Sequence, residues 1–151
     1  MVMIAIRRNI LAMLFCTMAL AGCQTLGGSG LIAAYSGLSP EASNAIAGDM
    51  VGRFTEHVGP GSTTIQLDAD GSVFGQTLEA SLKGWGYAVA TDQNAEGGNV
   101  VALAYVVDTF ENNVLARLST SSLTLTRVYA VTATGAAPAS PLSVMTTGQG
   151  G

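Results

Sequence analysis

Apolar residues recur along this chain with two different periods, and the change of period divides it. Ile46, Met50, Phe54 and Val58 fall every fourth residue, and Ala42, Ala47 and Val51 widen the stripe, which predicts an amphipathic helix. Ser39 is placed to cap it, Pro40 suits the first helical position, Glu41 favours the positive end of the dipole, and Gly59-Pro60-Gly61 ends it. Thr63 to Leu67 alternates as a short strand, and Asp70-Gly71 turns the chain. A second helix is expected from about Ser72, with Phe74, Leu78 and Leu82 on one face and Gly84 as its stop. Beyond it the period becomes two. Trp85 to Thr91 reads as a strand with Tyr87 and Val89 on one side, and a loop around Glu96-Gly97-Gly98-Asn99 follows. Val100 to Phe110 is apolar in both phases, as a central strand would be. Glu111-Asn112-Asn113 reads as a hairpin turn between it and Val114 to Ser119, and Leu123 to Thr132 is the last predicted strand. The expected fold is α+β: two helices packed on one face of a mainly antiparallel sheet of about five strands, order α-β-α-β-β-β-β. The first strand, second helix and next strand suit a right-handed crossover.

The ends of the chain follow other rules. Arg7 and Arg8 precede an uncharged apolar run, Ile10 to Leu20, too short for a bilayer span of about 20 residues. Leu20-Ala21-Gly22-Cys23 follows and resembles the lipobox of bacterial lipoproteins, whose cysteine thiol receives diacylglycerol. Residues 1–22 are therefore expected to be a signal peptide and Cys23 the lipidated first residue of the mature chain, with palmitate among its acyl groups. Residues 23–38 form the expected tether, containing Gly27-Gly28-Ser29-Gly30. The apolar patch Leu31 to Tyr35 interrupts that tether and suits packing on the domain or on a partner. The domain is expected at 39–134. No charged residue lies between Val128 and Gly151, and Pro138, Pro141 and terminal glycines mark 135–151 as an uncharged tail. Leu142, Val144 and Met145 alternate there, suiting either strand addition to a partner's open sheet edge or an idle terminus.

Cleavage would remove Cys16 and leave Cys23 in a thioether, so no disulfide or thiolate metal site is expected. It would leave Arg53, Lys83, Arg117 and Arg127 against ten carboxylates, about −6, which disfavours phosphate neutralisation and hence direct nucleic-acid binding.

Candidate chemistry is sparse. His57 is the single histidine and stands near the end of the first helix, where an imidazole more often complements the helix dipole than serves a nucleophile. Asp68-Ala69-Asp70-Gly71-Ser72 resembles the opening of a calcium loop, and Glu79 occupies its twelfth position. Yet Glu79 falls inside an amphipathic helix, so a turn followed by a helix cap is the expected structure. Gly27 to Gly30 follows no strand, as a phosphate cradle requires. Trp85 and Tyr87, two apart, suit one buried strand face. Glu41, Asp49, Arg53 and Glu56 read as the solvated face of the first helix, and Arg117 and Arg127 as a solvent face on neighbouring strands.

Three runs carry a family resemblance: SGLSPEASNAIAGDMVGRF, FGQTLEASLKGWGYAVATDQ and VYAVTATGAAPASPLSVM. With the lipobox and the QTLGGSG that follows it, they resemble the TrbH family of conjugal transfer lipoproteins. The resemblance implies a non-enzymatic lipoprotein of a Trb-type mating-pair-formation apparatus, a type IV secretion system. Such a protein contributes to the periplasmic and outer-membrane core of the channel. It implies other Trb subunits and a membrane, reached through lipid, as partners, with no cofactor, metal or small-molecule substrate. Cys23 is the one functional position it transfers to this sequence. Gln24, where aspartate would favour inner-membrane retention, points to the outer membrane. The competing classes are a free-standing envelope lipoprotein that binds a cell-wall ligand such as peptidoglycan, and a mating-exclusion or surface adhesion factor.

Overall fold

The computed structural model describes residues 38–91 and 99–148. Helix α1 (Pro40–Thr55) starts where the chain's own chemistry directs: Ser39 takes an extended conformation, and its hydroxyl accepts the amide of Ala42 at 3.2 Å. Ala42, Ile46, Ala47, Met50, Val51 and Phe54 are all buried along one face. Helix α2 (Val73–Gly84) repeats the device, with the Ser72 hydroxyl accepting the Gly75 amide at 2.9 Å. Phe74, Leu78 and Leu82 are its buried stripe.

Seven strands complete the described fold: β1 (Thr64–Leu67), β2 (Ala88–Ala90), β3 (Val100–Phe110), β4 (Asn113–Ser119), β5 (Leu123–Thr132), β6 (Gly135–Pro138) and β7 (Ser143–Thr146). They form one sheet in the order β2-β1-β3-β4-β5-β6, with β7 also on β5. β1 runs parallel to both β2 and β3, pairing Ile65 with Val89 and with Val101. From β3 onward every pairing is antiparallel. The sheet is therefore mixed and larger than the mainly antiparallel, roughly five-stranded one expected. β1, α2 and β2 form a crossover unit, and a crossover returns a strand parallel to its predecessor.

The tail is the second difference. β6 lies along the C-terminal half of β5 (Tyr129 with Pro138) and β7 along its N-terminal half (Leu125 with Val144). The stretch expected to dock on a partner's sheet edge thus pairs with this domain's own edge. Ser140 secures the bend between them: its hydroxyl accepts the Val128 amide at 2.9 Å, and the neighbouring Ala139 amide reaches the Val128 carbonyl at 2.8 Å. Two four-residue edge strands tolerate Pro138 because an edge strand has a side on which no ladder donor is required.

Trp85 is the third difference. It caps α2 rather than entering a strand, Gly86 follows with φ 92°, and β2 spans only three residues. Tyr87 alone turns inward, 4% exposed, while Trp85 is 51% exposed.

Both helices lie on one face of the sheet. The shared core joins Ile46, Met50, Phe54, Leu78 and Leu82 to Ile65, Leu103, Val107, Leu118, Leu125 and Tyr129. Burying one Leu or Phe side chain contributes roughly 1.5–3 kcal/mol, so this stripe-on-sheet contact is the main stabilising term.

Candidate functional site

The strands fix what each face of the sheet displays. In β3, Leu103 and Val107 point to the helices and are buried, so Ala102, Ala104, Val106, Asp108 and Phe110 point away. Cross-strand register extends this outer face: Val106 is opposite Arg117, Asp108 opposite Leu115, and Leu115 opposite Val128. Among the described residues no helix or strand covers it. The sequence presents β3 as apolar in both phases, and the structure places it centrally in the sheet but leaves Val106 45% and Phe110 68% exposed.

At one end of this face lies a groove of about 430 Å³. Ala102 and Ala104 form its floor, small enough to leave the space open. Gln66, Asp68 and Thr91, at the carboxyl ends of the parallel strands, flank one side, and Ser119, Thr120 and Ser121 the other. Carboxyl ends of parallel strands are where open sheets hold ligands. The lining offers hydroxyls, one amide and one carboxylate. Thr120 is already engaged in its own turn, its hydroxyl accepting the Leu123 amide at 3.0 Å and the Ser122 amide at 3.3 Å. Among the described residues that line the groove there is no imidazole or amine to serve its serines and threonines as a base. The groove is equipped to hydrogen-bond a polar chain or surface.

On the helix side, two polar clusters fix the fold. Asp49 of α1 accepts hydrogen bonds at one oxygen from the Tyr129 hydroxyl at 2.6 Å and from Arg127 Nη1 at 2.9 Å. Arg127 Nε donates to the Ser140 carbonyl at 3.0 Å, so the same guanidinium ties α1, β5 and the β6–β7 bend together. Burial, and then the adjacent Asp49 carboxylate, push the Tyr129 hydroxyl pKa far above the ordinary tyrosine value. Asp49 and Arg127, expected on solvated faces, are partners across the core margin. Arg117 and Arg127 stand on neighbouring strands but opposite faces, because Arg127 registers with Ala116 and Arg117 with Thr126. They line no common cleft.

The second cluster closes the β1–α2 turn. The Tyr105 hydroxyl donates to Asp70 Oδ1 at 2.5 Å, and the Ser72 amide donates to the same oxygen at 2.9 Å. Partial burial raises the Asp70 carboxyl pKa, but the hydrogen bonds from Ser72 and Tyr105 outweigh it and hold it below the ordinary value. Burial and that carboxylate raise Tyr105 to about 12. The segment with a calcium-loop look is thus a turn and a cap. Glu79 faces away from it and pairs with Lys83 at 2.6 Å, one helical turn on. Among the described residues no three or more His, Cys, Asp or Glu gather to hold a metal. His57 is exposed just past α1, its amide donating to the Phe54 carbonyl at 3.0 Å. Cys23, Gly27 to Gly30 and Leu31 to Tyr35 lie outside the described residues. No described helix is long and apolar enough to cross a membrane.

Sequence reasoning missed the Asp49–Arg127–Tyr129 cluster, although a signal was present. Arg127 falls in phase with Leu125 and Tyr129, and therefore on the core side, while Asp49 sits one turn from Ile46 at the margin of the apolar stripe.

The family model described as "Conjugal transfer protein TrbH" matches residues 26–148, the span of the whole described fold. A protein of Sinorhizobium fredii (strain NBRC 101917 / NGR234), named "Probable conjugal transfer protein TrbH", is 46% identical over 132 residues, covering 83% of this chain and 89% of that relative. No solved structure matches. With the family model running through α1, α2 and every described strand, and the relative covering 83% of the chain, the chain belongs to the TrbH family of conjugal transfer proteins.

Proposed function

We propose that this chain is a lipid-anchored, non-enzymatic structural subunit of a conjugative type IV secretion apparatus, held through Cys23 and contributing to its envelope-spanning core. Its role in conjugative transfer follows from the family. The observation that carries the finer reading is the lipobox Leu20 to Cys23, placed immediately before a match that begins at residue 26. That arrangement suits a lipidated N-terminus and tether over 23–38 ahead of the domain. Several acyl chains on one cysteine suit a fixed subunit, since each buried CH₂ adds about 0.8 kcal/mol and one chain alone binds only marginally. Gln24 favours the outer membrane, with the domain in the periplasm among other Trb subunits.

The domain suits scaffolding. Its two polar clusters are spent on holding helices to the sheet, and its open surface is a broad sheet face with a hydroxyl-lined groove. A cell-wall binder would be better served by a charged cleft, and the two arginines of β4 and β5 point to opposite faces.

Labelled palmitate tests the anchor. The expected result is incorporation into the wild type and none into Cys23→Ser, with plasmid transfer reduced because an untethered subunit loses the local concentration that anchoring gives. Equal labelling of both proteins refutes the anchor, and unlabelled Cys23→Ser with undiminished transfer refutes its importance.

A further inference from the structure

We propose that the bare face of the sheet is where a second copy of this chain docks, around a two-fold axis lying along the Val106–Leu115 diagonal. This goes beyond the reading above and does not depend on it. Four residues on β3 and β4 form a square on that face. Val106 stands opposite Arg117, and Asp108, two residues along, stands opposite Leu115. One diagonal of the square is apolar, Val106 and Leu115. The other is charged, Asp108 and Arg117.

That arrangement is self-complementary. In a two-fold interface each residue that meets another is met by it in return. An axis along the apolar diagonal stacks Val106 on its own copy and Leu115 on its own copy. The same rotation exchanges the charged corners, bringing each Asp108 over the partner's Arg117, so two equivalent ion pairs flank an apolar centre. Neither residue has an ion-pair partner among the described residues, and both are exposed.

Ten carboxylates against six cations make the chain acidic, so two copies repel overall. The square carries one anion and one cation and adds no like-charge contact to that repulsion.

The spacing also fits a known way of packing sheets. Strands lie about 4.8 Å apart and two residues advance about 6.8 Å, so an axis along this diagonal crosses the two sets of strands at roughly 70°, near the orthogonal class of sheet packing.

The test uses the full-length chain purified in detergent, at micromolar concentration. Val106→Cys, on the axis, is expected to be joined to its copy by a short bismaleimide, since facing sheets stand about 10 Å apart, beyond the reach of a direct disulfide. Wild type, and Lys83→Cys on the helix side, are expected not to be. Light scattering should give a two-chain mass for wild type and a one-chain mass for Asp108→Arg and for Arg117→Asp, each of which faces like charges across the axis. The double swap Asp108→Arg with Arg117→Asp should restore the two-chain mass. Circular dichroism melts at the wild-type midpoint show that the variants fold. A one-chain mass for wild type overturns the proposal, as it would if Leu31 to Tyr35 or another transfer subunit were the natural cover. So does self-crosslinking that survives both single swaps, or a double swap that fails to restore the dimer.

Discussion

Replacing Asp49 by alanine tests the reading of α1 most sharply, because a solvated-face residue and a core clamp differ by several kcal/mol. Asp49 Oδ2 accepts from Tyr129, whose side chain is 1% exposed, and from Arg127, whose side chain is 16% exposed. Alanine leaves the tyrosine hydroxyl buried without an acceptor, which costs about 1–3 kcal/mol. It also leaves the guanidinium near the core with only the Ser140 carbonyl. Losing one partner of a fully buried pair costs about 3–5 kcal/mol, and the one-quarter exposure of Asp49 calls for discounting that figure to about 1–2 kcal/mol. The two effects share one carboxylate and are not additive, so the expected loss is about 2–4 kcal/mol. For a domain of this size that lowers the thermal midpoint by roughly 10–20 °C. The assay is urea unfolding followed by circular dichroism, with Arg53→Ala as the exposed control, expected within about 0.5 kcal/mol of wild type. Tyr129→Phe removes the hydroxyl together with its need for an acceptor, so adding it to Asp49→Ala should recover part of the loss. An Asp49→Ala midpoint equal to that of Arg53→Ala would refute the clamp.

Leu78→Ala, at a fully buried position of α2, should cost about 2–5 kcal/mol in the same unfolding assay. Gly75→Ala should destabilise although alanine gains about 1 kcal/mol in a helix, because its Cβ would lie 2.4 Å from the Tyr105 hydroxyl and 2.8 Å from Asp70; pairing it with Tyr105→Phe should relieve the closer clash. Ser43→Ala removes a fully buried hydroxyl that finds no partner in the structure and should leave the melting temperature unchanged or higher. Tyr105 and Tyr129 have raised pKa values, so the folded state holds their protons more tightly than the unfolded state: their contribution is complete below pH 10, and the Tyr105 part falls as pH rises through about 12 while the Tyr129 part persists to higher pH, which alkaline melts of wild type against Tyr105→Phe will show.

The helices were legible because each carries its start, stripe and stop within 12 to 16 residues: a serine cap, an apolar recurrence and a terminating turn. β3 and β5 were equally plain, β3 as a run apolar in both phases and β5 by its alternation, each ten residues or more. What the sequence hid was pairing. Nothing local distinguishes a strand that joins a parallel neighbour from one that joins an antiparallel neighbour, so the mixed character of the sheet had to come from the fold. β6 and β7 were hidden by composition. β6, built from Gly, Ala and Pro, carries no β signal of its own, and β7, although Val144 and Met145 hinted at a strand, is too short to name its partner; both take their shape from the ladder β5 offers. Trp85 misled because a step of two residues suggested a strand, whereas Gly86 at φ 92° ends α2 one residue later. The outer-face groove was invisible for a further reason: its lining comes from four separate segments, each unremarkable by itself.

Using its own C-terminal residues to cover β5 changes how this domain is able to assemble. An exposed strand edge is a template for pairing with any other chain, and short edge strands blunt it. Here one edge ends in β2, three residues long, and the other in β6 and β7, four residues each. Neither presents a long ladder. An envelope subunit built this way is protected from indiscriminate strand addition while it waits for its neighbours. Recognition is then left to side chains on the sheet face, where register makes a one-residue change in pairing invert which residues are displayed. That is a more selective surface than an edge, since main-chain hydrogen bonds accept any sequence and the Val106, Asp108, Leu115 and Arg117 square does not.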